Sequence, residues 1–481
     1  MSTRIAVSSL GLQVVAVLAA LPPMQGAAAQ QGAADTVRYT VTFDAAEPRL
    51  VAVTLGWILR SPTLEIDAEA STSGSPSGGR FVNDLRIETA AGTAVAAARE
   101  APGRWRVDAR PGTRLRARYR LRIDHAALRV TGSPVYDWGR TIAEVAWTTR
   151  ELAFVTGRML FLTPTGMTRA EAVVQSPPGW RTVSSWGVSE GGRLSLRASR
   201  DELREGFVAA GRLELSRHVA GSLALVVATP SAMPSRDRRE IRRVAGSSLG
   251  RFVRLMGGAP RASLGMPYRE VVLLTAAAPA LELAGGGLAW KDIVLLAPPG
   301  DEPWGPRALA AVAHELFHLW NARAFRYRTP REGWFSEGVT EYLALRALLD
   351  EGVIGDDGYR DLMDGAFDRY RHDSWIGENS ILRAGDLKFA HRGLVHDGGL
   401  LVAACIDADM RRATNGARAL DDVLRAMFQR FDAGERTYDT GDVFDLVSEL
   451  AGDAVARPLQ RMVDGTASLG LWRCATERPT R

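Results

Sequence analysis

The strongest constraint on the fold of this chain is a change of hydrophobic period near Pro230. Over residues 36–228 apolar residues recur at every second position, most clearly in residues 37–43 and 115–123. This period is typical of half-buried antiparallel strands. Beyond Pro230 apolar residues recur at helical spacing, beginning with residues 241–256. The sequence therefore predicts a β domain followed by a mainly helical part.

The chain has 481 residues, more than one domain usually holds, so we expect several domains. The predicted units are an N-terminal antiparallel β-sandwich-like domain over residues 36–229, a mixed α/β lobe over residues 230–350 and a mainly helical lobe over residues 351–481. Strand-like runs at residues 270–274 and 292–296 fall in the mixed lobe. Helices are predicted over residues 307–323, 336–349, 399–412, 420–431 and 442–450.

Residues 1–29 have the pattern of a secretory signal peptide. Arg4 precedes an apolar stretch over residues 5–21, and three alanines at residues 27–29 form a small-residue cleavage site. The alternative is a membrane anchor, but the stretch is short for a span of about 20 residues and a pair of prolines follows it. We predict cleavage, export to the periplasm or secretion, and no integral membrane segment in the mature protein.

The charge balance argues against a nucleic-acid partner, although the net charge is +5 and the pI is about 9.4. All 60 basic residues except Lys291 and Lys388 are arginines, and they are spread among 55 acidic residues rather than gathered in runs. Nucleic-acid binders concentrate basic charge on one face or in runs. No nucleic-acid binding is therefore predicted.

The two cysteines, Cys405 and Cys474, are too few for a cysteine-based zinc module. They could form a disulfide in an oxidising compartment. Cys405 lies in an apolar helical run, however, where a lone thiol usually packs in the core. The pairing is left open.

The motif with the clearest chemistry is His314-Glu315-Leu316-Phe317-His318, inside a predicted helix. Histidines four residues apart lie on one helix face, so both imidazoles can bind one metal ion. Glu315 is then placed to act on a water molecule held by that ion. A second helix follows, with Glu337 after 18 intervening residues and Glu341 one turn later.

This spacing predicts a catalytic zinc site with one Zn²⁺ bound by His314, His318 and Glu337 and a position left open for water. Glu341 is expected to accept a hydrogen bond from one of the ligand histidines and to orient it. The alternative is that the histidines are ordinary core residues and that Glu337 is a helix N-terminal carboxylate. Four matched positions on two neighbouring helices favour the metal site.

Residues 314–321 and 334–342 resemble the glycyl aminopeptidase family of zinc metallopeptidases, in the glutamate-zincin clan with thermolysin. The similarity is strongest over residues 308–345 and continues more weakly along the mature chain, for example at residues 414–425. It implies a thermolysin-like fold for the α/β lobe, one zinc ion and a peptide or protein substrate. Family members often carry a C-terminal PDZ domain, and the chain is expected to lack one.

Two positions depart from the family pattern, and the first lies on the strand that lines the substrate cleft. The family motif Gly-Gly-Leu-Glu-His corresponds here to Gly286-Gly287-Leu288-Ala289-Trp290, so Ala289 replaces the glutamate expected to hold the substrate's free amino group. The glycines could instead form a simple turn. If the strand persists, its backbone could bind an extended peptide by strand addition.

The second departure concerns the family tyrosine that is thought to stabilise the oxyanion. Its position is His396 here, and Gly398 replaces the lysine of that motif. An imidazole can also donate a hydrogen bond to an oxyanion, although His396 could equally be an ordinary loop residue. His372 and His391 are the other candidates in this lobe, while His125 and His218 are assigned no role.

We therefore expect a secreted zinc-dependent peptidase in which Glu315 is the general base and His396 stabilises the oxyanion. Ala289 favours an endopeptidase or an enzyme of altered specificity. One alternative is an aminopeptidase of the same family. Another is a catalytically degenerate zinc protein that binds peptides or acts as a scaffold, but a structural zinc site has no need of Glu315. The sequence does not determine the oligomeric state.

Overall fold

The computed structural model describes residues 36–65, 78–124, 146–261, 270–275, 287–297, 303–432 and 436–466. The predicted signal peptide therefore lies outside the described residues, as do His125, Gly286 and Cys474. Within the described part, no helix combines the length and the apolar character needed to cross a bilayer.

The N-terminal region folds into several β-sheets. Its strands are β1 (Thr36–Phe43), β2 (Leu50–Ile58), β3 (Thr63–Glu65), β4 (Val82–Thr89), β5 (Ala94–Val95), β6 (Ala97–Ala101), β7 (Arg104–Val107), β8 (Arg114–Arg122), β9 (Ala146–Thr148), β10 (Leu152–Thr156), β11 (Thr163–Pro164), β12 (Arg169–Gln175), β13 (Arg181–Ser184), β14 (Gly187–Ser189), β15 (Arg193–Ser199) and β16 (Phe207–Gly211). They form a seven-stranded sheet in the order β15-β12-β1-β2-β8-β4-β5, a five-stranded sheet in the order β14-β13-β16-β10-β9 and a four-stranded sheet in the order β11-β3-β7-β6.

The alternation predicted for β1 and β8 is confirmed: Val41 and Tyr119 face a buried core, and the arginines of β8 face solvent. The prediction of a purely antiparallel domain is wrong at one strand pair. β1 pairs with β2 in antiparallel fashion but with β12 in parallel, Arg38 lying opposite Glu171. β1 and β12 are far apart in the chain, so no hairpin turn imposes the antiparallel direction on them.

A further sheet carries the chain from the β region to the helices. Its strands are β17 (Leu213–Ala220), β18 (Leu223–Pro230), β19 (Glu270–Thr275), β20 (Gly287–Trp290) and β21 (Ile293–Leu296), in the order β17-β18-β19-β21-β20. Later in the chain β22 (Arg326–Tyr327) and β23 (Thr437–Tyr438) form a short parallel pair.

This mixed sheet crosses the limit that we placed at residue 229, because β17 and β18 pair with the strands that follow. The change of period marks where helices begin, whereas β18 is buried on both faces and shows no alternation. One face packs on the β region through Val226 and Ile293, and the other packs on helices through Leu225 and Val294. The other domain limits stay a prediction.

The helices are α1 (Gly157–Leu160), α2 (Arg200–Glu205), α3 (Ser235–Met256), α4 (Pro306–Phe317), α5 (Thr340–Asp350), α6 (Asp356–Arg371), α7 (Ile381–Ala384), α8 (Gly399–Ala413), α9 (Leu420–Phe431), α10 (Thr440–Ala451) and α11 (Asp453–Asp464). Two π-helical turns, Trp334–Val339 and Gly393–Gly398, lead directly into α5 and α8. From α3 onward these helices share one core with the mixed sheet. A multi-sheet β region followed by a helical C-terminal region is therefore present, as predicted.

The helix predicted to run to residue 323 ends at Phe317. His318 is its C-terminal cap, and Ala322 has a φ of 94°. A left-handed residue cannot continue an α-helix. The chain therefore reverses here and returns through the π-helical turn Trp334–Val339.

Two glycines allow the elements around the site to touch. A Cβ atom on Gly338 would lie 2.2 Å from the carbonyl carbon of Gly399, and one on Gly399 would lie 2.3 Å from the carbonyl oxygen of Trp334. No side chain fits at such distances, so glycine is required where these backbones meet. The contact brings together the two π-helical turns.

Replacing Gly338 with alanine should force these backbones apart and lower the free energy of unfolding by about 1–3 kcal/mol or more. Chemical denaturation of the purified variant measures this change. Gly191→Ala is the matched control, because nothing lies within 4 Å of a Cβ atom added there. Equal stability of the Gly338→Ala variant and the wild type would contradict the close contact.

Candidate metal centre

Helix α4 presents two imidazoles to the same point. His314 and His318 are one helical turn apart, and their Nε2 atoms are 3.0 Å from each other. Both residues are buried, with exposed fractions of 6% and 9%. The opposite face of the helix, with Leu309, Val312 and Leu316, packs into the core and fixes the direction of both side chains.

Glu337 reaches the same point from the π-helical turn Trp334–Val339. Its Oε2 atom lies 3.4 Å from Nε2 of His314 and 3.3 Å from Nε2 of His318. Donor atoms that share one tetrahedral ion at about 2.0–2.1 Å lie about 3.3 Å from one another. The spacing of this His-His-Glu cluster therefore fits a single zinc ion.

The second nitrogen of each imidazole is held in place. Nδ1 of His314 lies 2.8 Å from a carboxylate oxygen of Glu341, and Nδ1 of His318 donates to the backbone oxygen of Asn321 at 3.0 Å. A carbonyl oxygen only accepts hydrogen bonds, so the proton of His318 sits on Nδ1 and Nε2 keeps its lone pair for a metal. Glu341 thus lies close enough to His314 for an ion pair.

Asn321 is a positioning residue that the motif analysis missed. Its fully buried amide nitrogen donates to the backbone oxygen of Phe335 at 3.0 Å and to the hydroxyl of Thr340 at 3.2 Å. Its backbone oxygen orients His318, so one residue links the two helices of the site. The only sequence signal was its place in the motif that resembles the family.

Lys388 is a second residue that sequence analysis missed. Its Nζ atom donates to Oε1 of Glu337 at 2.8 Å, which leaves Oε2 directed at the two imidazoles. Burial raises the pKa of Glu337, but Lys388 and His318 outweigh burial and hold it well below its usual value. A usable signal existed, because Lys388 is one of only two lysines in an arginine-rich chain.

The electrostatics of the cluster favour a cation. Burial lowers the pKa of His314, but the carboxylates of Glu337 and Glu341 outweigh burial and raise it to about 10. The pKa of Glu341 is lowered to about 2, since the His314 imidazole outweighs the effect of burial. The space among these groups therefore strongly favours an occupant with a positive charge.

Glu315 lies between the metal cluster and the edge strand β20. It is 7% exposed, and a Cβ atom on Gly287 would lie 2.4 Å from its Cγ, so a glycine is needed there. The backbone N–H of Ala289 faces its carboxylate. Burial raises its pKa, partly offset by the nearby histidines, and a raised pKa suits a general base.

Residues Gly287–Trp290 form the edge strand β20 and not a simple turn. It pairs with β21 on one side only, Ala289 lying opposite Val294. Gly287 and Ala289 contact Glu315, whereas Leu288 packs against the core between the sheets. Leu288 therefore points away from the site, and Gly286 lies outside the described residues.

His396 is beside the cluster, on the second π-helical turn. Its Nδ1 lies 4.0 Å from Oε2 of Glu337, and its ring is parallel to that of His314 at 6.3 Å. Burial lowers its pKa to about 3, so the imidazole is neutral at physiological pH. A neutral imidazole beside the open side of the cluster can still donate a hydrogen bond.

The other candidate histidines are engaged elsewhere. His391 donates from Nδ1 to a carboxylate oxygen of Asp373 at 3.0 Å and stacks on Trp375. His372 is exposed and contacts the backbone of its own helix, and His218 lies on β17. Cys405 is buried in α8. Its pairing with Cys474 stays open, because Cys474 lies outside the described residues.

The site agrees with comparisons to known proteins. Residues 307–384 match the sequence model of the M61 glycyl aminopeptidase family, which confirms the resemblance over the motif region. No curated protein matched the chain.

Solved structures share the fold. A protein of the aminopeptidase N family from Idiomarina loihiensis is 17% identical, with a TM-score of 0.67 over 91% of this chain and 78% of that one. An M1 zinc metallopeptidase from Deinococcus radiodurans is 16% identical, with a TM-score of 0.51 over 91% and 94%. At these identities the likeness shows the fold alone.

Glu341→Gln should weaken zinc binding by about 10–100-fold, since the ligand imidazole of His314 loses its charged anchor. Competition with a chromophoric chelator measures the affinity. Glu351→Gln, on the exposed end of α5, is the matched control. Unchanged affinity in Glu341→Gln would show that His314 is oriented by other contacts.

Proposed function

We propose that this protein is a zinc-dependent peptidase that hydrolyses peptide bonds. The proposal is carried by one observation. The donor atoms of His314, His318 and Glu337 surround a single point, and the carboxylate of Glu315 lies beside this cluster without belonging to it. A purely structural zinc site closes its fourth position with a protein ligand and has no use for a base. The match to a peptidase family supports the same conclusion.

His314, His318 and Glu337 would hold one zinc ion, which when bound supplies Lewis-acid activation of water and of the scissile carbonyl. Glu315 accepts the proton of the attacking water and passes it to the leaving amine. Neutral His396 donates a hydrogen bond to the oxygen that gains negative charge. Glu341, Asn321 and Lys388 keep the three ligands in position.

The substrate would lie along β20 as an added strand, in the manner of thermolysin-like enzymes. β20 is the last strand of the mixed sheet and lies against α4, so its free edge faces Glu315. This arrangement supports the thermolysin-like assignment of the α/β lobe. Residues 1–29 support export, which stays a prediction from the sequence.

The residues of the cleft favour an endopeptidase or an enzyme of altered specificity. The buried methyl group of Ala289 cannot bind an ammonium group, and Lys388 places a positive charge beside the ligand carboxylate. An aminopeptidase of the same family is the second candidate, favoured by the family match alone. A scaffold protein would retain zinc and bind peptides without cleaving them.

Glu315→Gln should abolish hydrolysis of a peptide library, with a loss of at least about 100-fold in kcat, while zinc content is unchanged. Metal analysis and turnover are measured on the same preparation. Glu351→Gln should match the wild type. Equal rates for the wild type and the zinc-loaded Glu315→Gln variant would refute the peptidase and support the scaffold.

His396→Phe should lower kcat by about 10²–10³-fold with little change in KM, because an oxyanion donor acts mainly in the transition state. His372→Phe, on the exposed end of α6, is the matched control. A change confined to KM would place His396 in substrate binding and remove it from oxyanion stabilisation.

A further inference from the structure

A strained turn carries an arginine to the edge of the substrate cleft. After α4 the chain turns over residues 321–325, with Ala322 at a φ of 94° and its N–H bonded to the oxygen of Phe325. A left-handed conformation is uncommon for alanine and costs free energy. The turn points the next side chain, Arg323, at strand β20.

The guanidinium of Arg323 donates a hydrogen bond to the backbone oxygen of Ala289. The N–H of the same residue faces the carboxylate of Glu315. Both backbone groups that Ala289 directs away from β21 therefore face charged side chains. A peptide added to this edge would meet Arg323 where its backbone pairs with Ala289.

Among the described residues, Arg323 has no carboxylate partner. Its guanidinium donates one hydrogen bond there, to the backbone oxygen of Ala289. A guanidinium has five N–H donors in a planar fork. Half-buried and bonded, within the described part of the chain, to one neutral oxygen, it has further donors and its charge available for a ligand. A carboxylate is the group that best satisfies such a fork.

A second cation, Lys291, lies near Arg323 but is already paired. Lys291, at the turn after β20, has its pKa lowered to about 8, first by burial and then by Arg158, with Arg323 contributing. Lys291 pairs with Glu205, so this ion pair adds little net charge. Where the resembling family places an ammonium-binding glutamate, this cleft has the methyl group of Ala289 and, on its backbone oxygen, the guanidinium of Arg323.

We propose that Arg323 is a specificity residue that binds a carboxylate of the substrate beside β20. The inference rests on the proposed peptidase function and names its substrate class: peptides with a carboxylate near the scissile bond, rather than peptides that offer a free ammonium group there. The carboxylate could belong to an acidic side chain or to the peptide's own C-terminus.

The test uses the zinc-loaded full chain and N-acetylated peptides that differ only by Asp or Glu against Asn or Gln at each position near the cleaved bond. Each peptide is prepared as a C-terminal acid and as an amide, which separates the two sources of carboxylate. We expect kcat/KM to favour carboxylate peptides by at least about 10-fold over their amide counterparts.

Arg323→Met should bring this ratio close to one, Arg323→Lys should retain part of it, and Arg323→Glu should bring it below one. Arg326→Met, three residues along on the exposed strand β22, should keep the wild-type ratio. The conservative and reversed variants remain informative if the Arg323→Met variant does not fold.

The same ratios are measured as Kd for the Glu315→Gln variant, so binding is tested even if no peptide is cleaved. Absence of hydrolysis with a retained carboxylate preference would refute the peptidase and leave the binding inference standing. Cleavage with a ratio near one in both wild type and Arg323→Met would overturn the inference and leave the peptidase intact.

Discussion

The carboxylate of Glu337 is the group on which the centre depends. One oxygen faces two imidazoles at 3.3 and 3.4 Å, and the other accepts a hydrogen bond from Lys388 at 2.8 Å. An isolated charge is costly to bury, and removing one partner of a buried cluster leaves the others unmatched. Three elements that are distant in the chain therefore share a single anion, and none can move without the others.

Unusual helix geometry delivers the key side chains to this anion. Glu337 and His396 both come from π-helical turns, and these turns lead into the helices α5 and α8. Such turns are rare and occur often at functional sites. They meet through Gly338 and Gly399, where only hydrogen atoms separate the two backbones. The glycines thus have a role in function that arises entirely from packing.

The two sides of the centre differ in how closely they follow the resembling family. The metal side keeps both histidines, the ligand glutamate, the base and the carboxylate that anchors His314. On the other side Ala289 stands where that family has the amine-binding glutamate and His396 where it has a tyrosine, and Arg323 lies on the backbone oxygen of Ala289. The residues that could bind a metal and those that line the strand edge are therefore separate groups.

The sequence alone predicted the β-to-helical order and the three residues, His314, His318 and Glu337, that the structure brings together as a possible metal cluster, because those inferences depend on spacing along the chain. Four residues make one helical turn whatever surrounds the helix. Spacing did not predict that α4 would end at Phe317, since that depends on the left-handed Ala322. Nor did it show that β17 and β18 would join the following sheet.

Lys388 and Arg323 could be placed only by the tertiary structure. Lys388 is 51 residues from Glu337, and Arg323 is 34 residues from Ala289. Contacts at such separations depend on how helices and the mixed sheet pack, and no local period encodes them. The sequence thus determined that a metal could be bound and a water activated. The packed fold decided which charges surround the substrate, because electrostatic interactions depend on distance in space and not on distance along the chain.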